Sequence, residues 1–387
     1  MKSILFVIPF CRPSGVGSSL ASIYSGLDRA KYNIFVFSIQ KGLKEEVESL
    51  PYSKNVIQSD SLLSYYFGDY RRAPLFWKLL IIGLKVVSKF SYSFKALVEA
   101  FVEKRVVCNL EKQYHFDTVI GFMEGPSTKM ASFFKTPNRV AWIHCNYNTS
   151  VPDNISEENI YSSFNTIVCV SKYTAKVFKE RYIRLADKVE SIYNPQDTKR
   201  IIIKSLETID DASFNNNKFT IISIGRINHI KRFRLIPQIA AHIKQKRKDF
   251  NWFIMGAEQE KDEMEAIRRG IIDNVVEDVV RWLPYKSNPY PYLKASNLLV
   301  STSISEACPM IFNEARALDV PIVTADFPTS YEFIVNEIDG IISNIDAMPD
   351  NILRMMNDKA LYLRIKEHSK ELLIDSESII KKIESII

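Results

Sequence analysis

The feature that most constrains this chain is an alternation that runs twice. Short apolar runs at 4–8, 34–38, 118–122, 140–143 and 166–170 are bounded by turn residues, and segments with helical periodicity, such as 17–27 and 172–182, lie between them. Apolar runs of strand length alternating with amphipathic helices are the pattern of a parallel sheet wrapped by helices. The pattern pauses at 192–217, where NPQD, a charged stretch and the run Asn215, Asn216, Asn217 intervene. It restarts with strands expected at 219–224, 251–255, 279–283, 297–301 and 321–324. The expected organisation is an N-terminal domain over 1–193, a second domain over 194–365, and a C-terminal helix within 366–387 that packs back across the junction. A length of 387 residues fits two cores better than one.

Composition excludes several classes. With 46% hydrophobic and 25% charged residues and no internal repeat, the chain is globular and not disordered. Cys11, Cys108, Cys145, Cys169 and Cys308 are odd in number and never in CxxC spacing, so they signal neither a zinc site nor a disulfide framework and fit a reducing cytoplasm. The opening MKSILFVIPFCRPSG is interrupted by Arg12 and lacks a small-residue cleavage site, so it reads as a buried strand. No apolar stretch reaches the roughly 18 residues needed to span a bilayer. The net charge of +6 is too mild, without clustered groove-reading motifs, to indicate nucleic acid.

Three stretches carry chemistry. After the strand at 219–224 comes GRINHIKRF, a glycine turn followed by Arg226 and Lys231 five residues apart at an expected helix start. Backbone amides, helix dipole and side-chain cations together suit a diphosphate there, although a solvated basic loop needs no ligand. The stretch SEACPMIFNEA places Glu306 at the end of a polar loop and Glu314 on the helix after it, a spacing that suits two ends of one ligand. Two surface glutamates would give the same string. A third stretch, AWIHCNY, puts His144 just beyond a strand, where a lone histidine is more often structural.

Taken in order, GRINHIKRF, WFIMGAE and the run VVRWLPYKSNPYPYLKASNLLVSTSISEACPMIFNEARALDVPIVTADFPTSYEFI resemble the C-terminal half of the retaining glycosyltransferases of family 4, and the spaced glutamates resemble that family's E-x7-E motif. PSGVGSS, FDTVIGFMEG, AWIHCNY, VCVSKYTAKVF and IYNPQD resemble N-terminal segments in the same order, so the likeness covers roughly residues 1–365. It implies an α/β GT-B fold, two Rossmann-like parallel-sheet domains facing a central cleft. It implies that Arg226 and Lys231 neutralise the diphosphate of a nucleotide sugar, that Glu314 holds the ribose, and that Glu306 lies beside the donor sugar. The amides at Pro309, Met310 and Ile311 would approach sugar and phosphate, Gly15 and Gly17 would admit donor phosphate and acceptor, and His144 would stand near the reaction centre. The pattern departs at two places: Ala307 replaces a common glycine and leaves less room for the backbone, and Arg232 replaces another and adds a cation that is expected to be solvated.

The expected activity is metal-independent transfer of a sugar, with retention, from a nucleotide donor to a glycan or lipid-linked acceptor in surface polysaccharide assembly. A UDP-sugar is preferred over a GDP-sugar on base rates, and no separate cofactor is implied. Metal independence follows from the lack of a DxD-like carboxylate pair. Residues 71–105 are basic and apolar. With Pro74 at a helix start, Lys78, Lys85 and Lys89 fall within about 40° of one another, opposite Leu80, Val87 and Phe90. Such a helix either covers the sheet with its lysines in water or lies peripherally on an anionic membrane at the inner face. Two other functions fit the same fold, a nucleotide-sugar epimerase and a catalytically silent partner protein. A nicotinamide enzyme does not fit, because GxGxxG is absent from the first glycine loop.

Overall fold

The computed structural model describes all residues except 12–13, 41, 43, 59–61, 67–68, 91, 148–154, 210, 212–213 and 215–217, and leaves out the side chains of 46, 62–63, 88–90, 92–95, 155–156 and 370. Arg12, the asparagine run at 215–217 and the side chains of Lys89 and Phe90 therefore lie outside the described residues. The chain forms two compact units, one of Met1–Pro195 with Ser376–Ile387 and the other of Gln196–Asp375.

The first unit holds seven strands, β1 (Lys2–Ile8), β2 (Tyr32–Ser38), β3 (Val56–Gln58), β4 (Thr118–Gly121), β5 (Asn138–Ile143), β6 (Thr166–Cys169) and β7 (Val189–Ser191), in the order β3-β2-β1-β4-β5-β6-β7. The second holds six, β8 (Phe219–Ile224), β9 (Phe250–Met255), β10 (Val280–Leu283), β11 (Leu298–Ser301), β12 (Ile322–Ala325) and β13 (Ile341–Ser343), in the order β10-β9-β8-β11-β12-β13. Every pairing is parallel. Parallel strands covered on both faces are largely apolar, and ILFVI of β1 and FNWFIM of β9, in which Asn251 is the one polar residue, are buried without interruption. In both sheets the strand order reverses beside the first strand of the unit, between β1 and β4 and between β8 and β11. Such reversals leave room for ligands beyond the carboxyl ends of the strands. Each unit is therefore a Rossmann-like α/β domain.

Each unit has its own core. In the second, the buried Trp252 indole donates to Ser223 Oγ at 3.1 Å and that hydroxyl donates to the Val300 carbonyl at 2.6 Å, so one chain of hydrogen bonds crosses β9, β8 and β11. Buried polar groups are tolerable only when paired in this way.

The structure differs from expectation at the C-terminus. The single helical segment read across 366–387 is two helices, Lys359–Glu371 and Ser376–Ile386, broken at 372–375. The second of them belongs to the first unit, where the Ile387 and Ile386 carbonyls accept from Lys2 Nζ at 3.1 Å and Asn138 Nδ2 at 2.7 Å. Residues 71–105 likewise divide, into a 3-10 turn at Tyr70–Arg72, a helix at Leu75–Phe90 and the start of a helix at Tyr92–Gln113. No helix among the described residues is long and apolar enough to cross a membrane.

Candidate functional site

The carboxyl ends of β8 and β11 flank the order reversal of the second sheet, and the loops leaving them are tied together. The Thr302 hydroxyl donates to the Lys231 carbonyl at 2.6 Å and the Ile304 amide to the Ile230 carbonyl at 2.9 Å. This lacing brings two predicted residues together: Lys231 Nζ donates to Glu306 Oε1 in a mostly buried ion pair, and Ser303 Oγ donates to the same oxygen at 2.7 Å. The Glu306 carbonyl accepts from the Thr329 hydroxyl, fixing the loop from the β12 side. Asn228 turns the β8 loop by accepting from the Lys231 amide through both its carbonyl and its Oδ1, each at 3.1 Å.

Glycine is needed where this loop meets the one after β9. A Cβ on Gly256 would stand 1.8 Å from the Gly225 carbonyl oxygen, and one on Gly225 would press on Lys231 Cε at 3.0 Å. The G of GRIN and the G of MGAE thus let two backbones and a lysine stem share space that a methyl group would fill.

Arg232 corrects an expectation. It is not a solvated extra cation: its Nε donates to the Thr302 carbonyl at 2.8 Å and an Nη to the Ser303 carbonyl at 3.3 Å, so it braces the loop that carries Glu306. Its φ of 49° is left-handed, which explains why a glycine suits this position in the family pattern. The helix expected to begin at Lys231 begins instead at Ile236, after a 3-10 turn at Phe233–Leu235. The α-helix whose first turn lies just beyond Glu306 is Met310–Ala317, capped by Pro309. Arg226 is exposed, and its side chain has no hydrogen bond or ion pair to a described residue.

Glu314 sits five residues into the helix Met310–Ala317, half-buried, and accepts from the Tyr290 hydroxyl at 3.4 Å. Burial raises its carboxyl to about 7, with the Tyr290 hydrogen bond opposing, and it raises the Tyr290 phenol as well. The Met310 carbonyl accepts from Gln196 Nε2 at 2.8 Å; Pro309 is buried, while Met310 and Ile311 are half-buried. In a first helical turn, amides lack intrahelical partners and favour an anion.

The remaining candidates lie in the first unit. Gly15 opens the helix Gly15–Gly26, Ser14 caps it by accepting from the Gly17 amide at 3.0 Å, and a Cβ on Gly15 would meet nothing within 4 Å. His144 follows β5, its amide donating to Glu124 Oε2 at 2.9 Å and its ring edge-on to Phe122 with centroids 4.8 Å apart. Burial pulls its imidazole down to about 3, so it is neutral, and Nε2 is buried with no partner among the described residues. Burial also raises the Glu124 carboxyl.

Sequence reasoning missed Tyr290, Glu124, Ser303, Thr329 and the bracing role of Arg232. Glu124 lay inside the quoted FMEG, but nothing in its spacing tied it to His144. The partners of Glu306 depend on which strands become neighbours. Among the described residues no three His, Cys, Asp or Glu side chains group so as to hold a metal ion.

Comparison with known proteins bears on this arrangement. The sequence profile of the family described as Glycosyl transferases group 1 matches residues 205–372, the part that contains Arg226, Lys231, Glu306 and Glu314. An uncharacterised glycosyltransferase of Haemophilus influenzae is 22% identical over 301 residues, covering 75% of this chain and 80% of that protein. The N-acetylgalactosamine-N,N'-diacetylbacillosaminyl-diphospho-undecaprenol 4-alpha-N-acetylgalactosaminyltransferase of Campylobacter jejuni is 25% identical over 252 residues, 64% of this chain and 66% of that protein. Among solved structures, HepE of Anabaena in complex with UDP-glucose aligns with a TM-score of 0.76 at 14% identity, over 100% of this chain and 99% of that one. The fold is GT-B, and the match of residues 205–372 to the glycosyl transferases group 1 profile supports a glycosyltransferase.

Proposed function

We propose that the protein is a retaining glycosyltransferase of family 4 that moves a hexose-type sugar from a UDP-sugar to a glycan or lipid-linked acceptor in surface polysaccharide assembly, without a metal. The observation that carries the reading is the meeting of Lys231 and Glu306 at the order reversal of the second sheet, within the segment matched by the glycosyl transferases group 1 profile. The UDP preference rests on the fold likeness to a protein solved with UDP-glucose, and the lipid-linked acceptor on the printed activity of the Campylobacter relative. Five cysteines outside any disulfide fit a reducing cytoplasm.

In this reading Lys231 and the exposed Arg226 receive the diphosphate, and the first-turn amides of Met310–Ala317 add partial positive charge. Negative charge grows on the leaving nucleoside diphosphate as the anomeric bond breaks, and fixed cations and amides stabilise that charge without reorganising. Glu314 accepts from ribose hydroxyls. Glu306 does double duty, holding Lys231 before the donor arrives and turning to the sugar hydroxyls when the diphosphate takes over the ammonium. His144, neutral, serves as a hydrogen-bonding group on substrate and not as an acid. Retention proceeds by internal return, with the leaving phosphate oxygen taking the acceptor proton as the new bond forms on the same face.

The test is a panel of UDP- and GDP-sugars followed by released nucleoside diphosphate, with the anomeric configuration of the first product read by proton NMR. An axial product from an axial donor bears the proposal out; an inverted product, or a covalent glycosyl-enzyme trapped on a carboxylate, overturns it.

A further inference from the structure

The helix Leu75–Phe90 is amphipathic in an unexpected sense. The lysine face anticipated from sequence is not the one turned to water: Lys78 and Lys85 are half-buried on a flank, with the Lys85 ammonium 4.2 Å from the centre of the Tyr70 ring. The inward edge is Trp77, Ile81 and Leu84, packed with Tyr65, Tyr70 and Val102. The outward edge is apolar. Leu75, Phe76, Leu79 and Val86 are 73%, 69%, 63% and 51% exposed, and Leu80, Ile82 and Val87 are exposed beside them. At about 100° per residue these positions, with Gly83, fill an arc of about 160° that contains no polar side chain. The next helix, Tyr92–Gln113, adds Leu97 and Phe101, a turn apart and 69% and 66% exposed.

A soluble surface rarely leaves so continuous an apolar face in water, so something covers it. Charge decides what. Arg71 and Arg72 pair with Asp69, and from 73 to 98 the sequence has four further cations, Lys78, Lys85, Lys89 and Lys95, and no carboxylate. A second copy of the chain would bring the same excess of cations against these, whereas an anionic surface would attract them. The helix has 16 residues, so at about 1.5 Å each it is about 24 Å long, short of the roughly 30 Å hydrocarbon core, and it cannot cross. An apolar outer arc with cations along its flank is instead the form of a helix lying in a bilayer interface.

The geometry points to a membrane-docking face. The Leu75–Phe90 helix lies in the plane of an anionic lipid surface, with Leu75, Phe76, Leu79, Ile82 and Val86 in the acyl boundary, Leu97 and Phe101 extending the patch, and the flanking lysines and arginines at the headgroups. This goes beyond the donor chemistry and needs no donor to operate. It would hold the enzyme where a lipid-linked acceptor is presented.

The experiment is co-flotation of the full chain with vesicles of phosphatidylglycerol and phosphatidylcholine, and of phosphatidylcholine alone, at low and high salt. The expected result is flotation with the anionic vesicles, weakened by salt. The paired substitution Leu79→Glu with Val86→Glu should lower the floating fraction at least tenfold while leaving UDP binding and circular dichroism unchanged. Leu75→Ser, at the exposed helix start, should lower it less and provides a variant with little risk to folding. Lys78→Gln with Lys85→Gln should remove much of the salt dependence. Wild type remaining in the bottom fraction with anionic vesicles overturns the inference. So does a concentration-dependent dimer, seen by light scattering, that the Leu79 and Val86 substitutions abolish in the absence of flotation.

Discussion

Lys231 and Glu306 stand 75 positions apart in sequence and share a hydrogen-bonded ion pair at the ends of neighbouring strands β8 and β11. Each mostly buried charge compensates the other. A diphosphate that engages Lys231 competes with Glu306 for its ammonium, and in the proposed mechanism the carboxylate turns to the sugar. Glu306→Ala should therefore leave UDP affinity within about threefold of wild type, or tighter, while turnover falls by about a hundredfold or more, on the scale of other lost transition-state contacts. Lys231→Ala should weaken UDP binding at least tenfold. Calorimetry and steady-state kinetics on both variants check this; a tenfold loss of UDP affinity in Glu306→Ala would contradict it.

Glu314 gives a pH signature. Its folded-state carboxyl is raised from 4.5 to about 7, so the stability tied to its protonated form is complete below about 4.5 and is lost as pH rises through 7. Glu314→Gln should raise the melting temperature at pH 8 by a few degrees and change little at pH 5. Ribose hydroxyls donate better to the carboxylate, so UDP binding should release protons and weaken from pH 8 to pH 6, and Glu314→Ala should flatten that slope while weakening binding overall. Titrations in buffers of different ionisation enthalpy read the proton release directly.

Arg232 sets a left-handed backbone against two hydrogen bonds from its guanidinium. Arg232→Ala loses the bonds and keeps the strain; Arg232→Gly loses the bonds and relieves it. Alanine should cost about 1–3 kcal/mol, and glycine should be better than alanine by about 1 kcal/mol. Thermal unfolding of the three proteins gives the order, with alanine lowest.

Gly256→Ala should be severe, because the new methyl would occupy the position of the Gly225 carbonyl. The loop bearing Arg226 and Lys231 would have to move, so about 2–3 kcal/mol of stability and most UDP binding should be lost together. Unfolding and calorimetry on one preparation test the coupling; normal UDP affinity would show that the loops tolerate separation.

Most of the fold was readable because buried parallel strands are largely apolar, and the ten strands expected from apolar runs correspond to β1, β2, β4, β5, β6 and β8–β12 within a residue or two at each end. The three not expected, Val56–Gln58, Val189–Ser191 and Ile341–Ser343, have three residues each, too few to show an apolar run, and form sheet edges. The break at 372–375 was hidden because Leu372, Leu373 and Ile374 continue the apolar pattern, although Asp375 and Ser376 offer a helix start. In the site, residue types announced the charges but not their partners. Lys231 meets Glu306 only because β8 and β11 become neighbours, and Tyr290 reaches Glu314 from a stretch, SNPYPYL, whose spacing carries no such signal.

The measurement that bears most directly on the central claim is calorimetric titration of the purified protein with UDP and, separately, with GDP in the presence of EDTA. The account predicts saturable one-to-one binding of UDP, weaker binding of GDP, and loss of the UDP signal in Lys231→Ala. A flat titration with both nucleotides, or UDP binding that Lys231→Ala leaves unchanged, would contradict the assignment of this loop pair as the donor site.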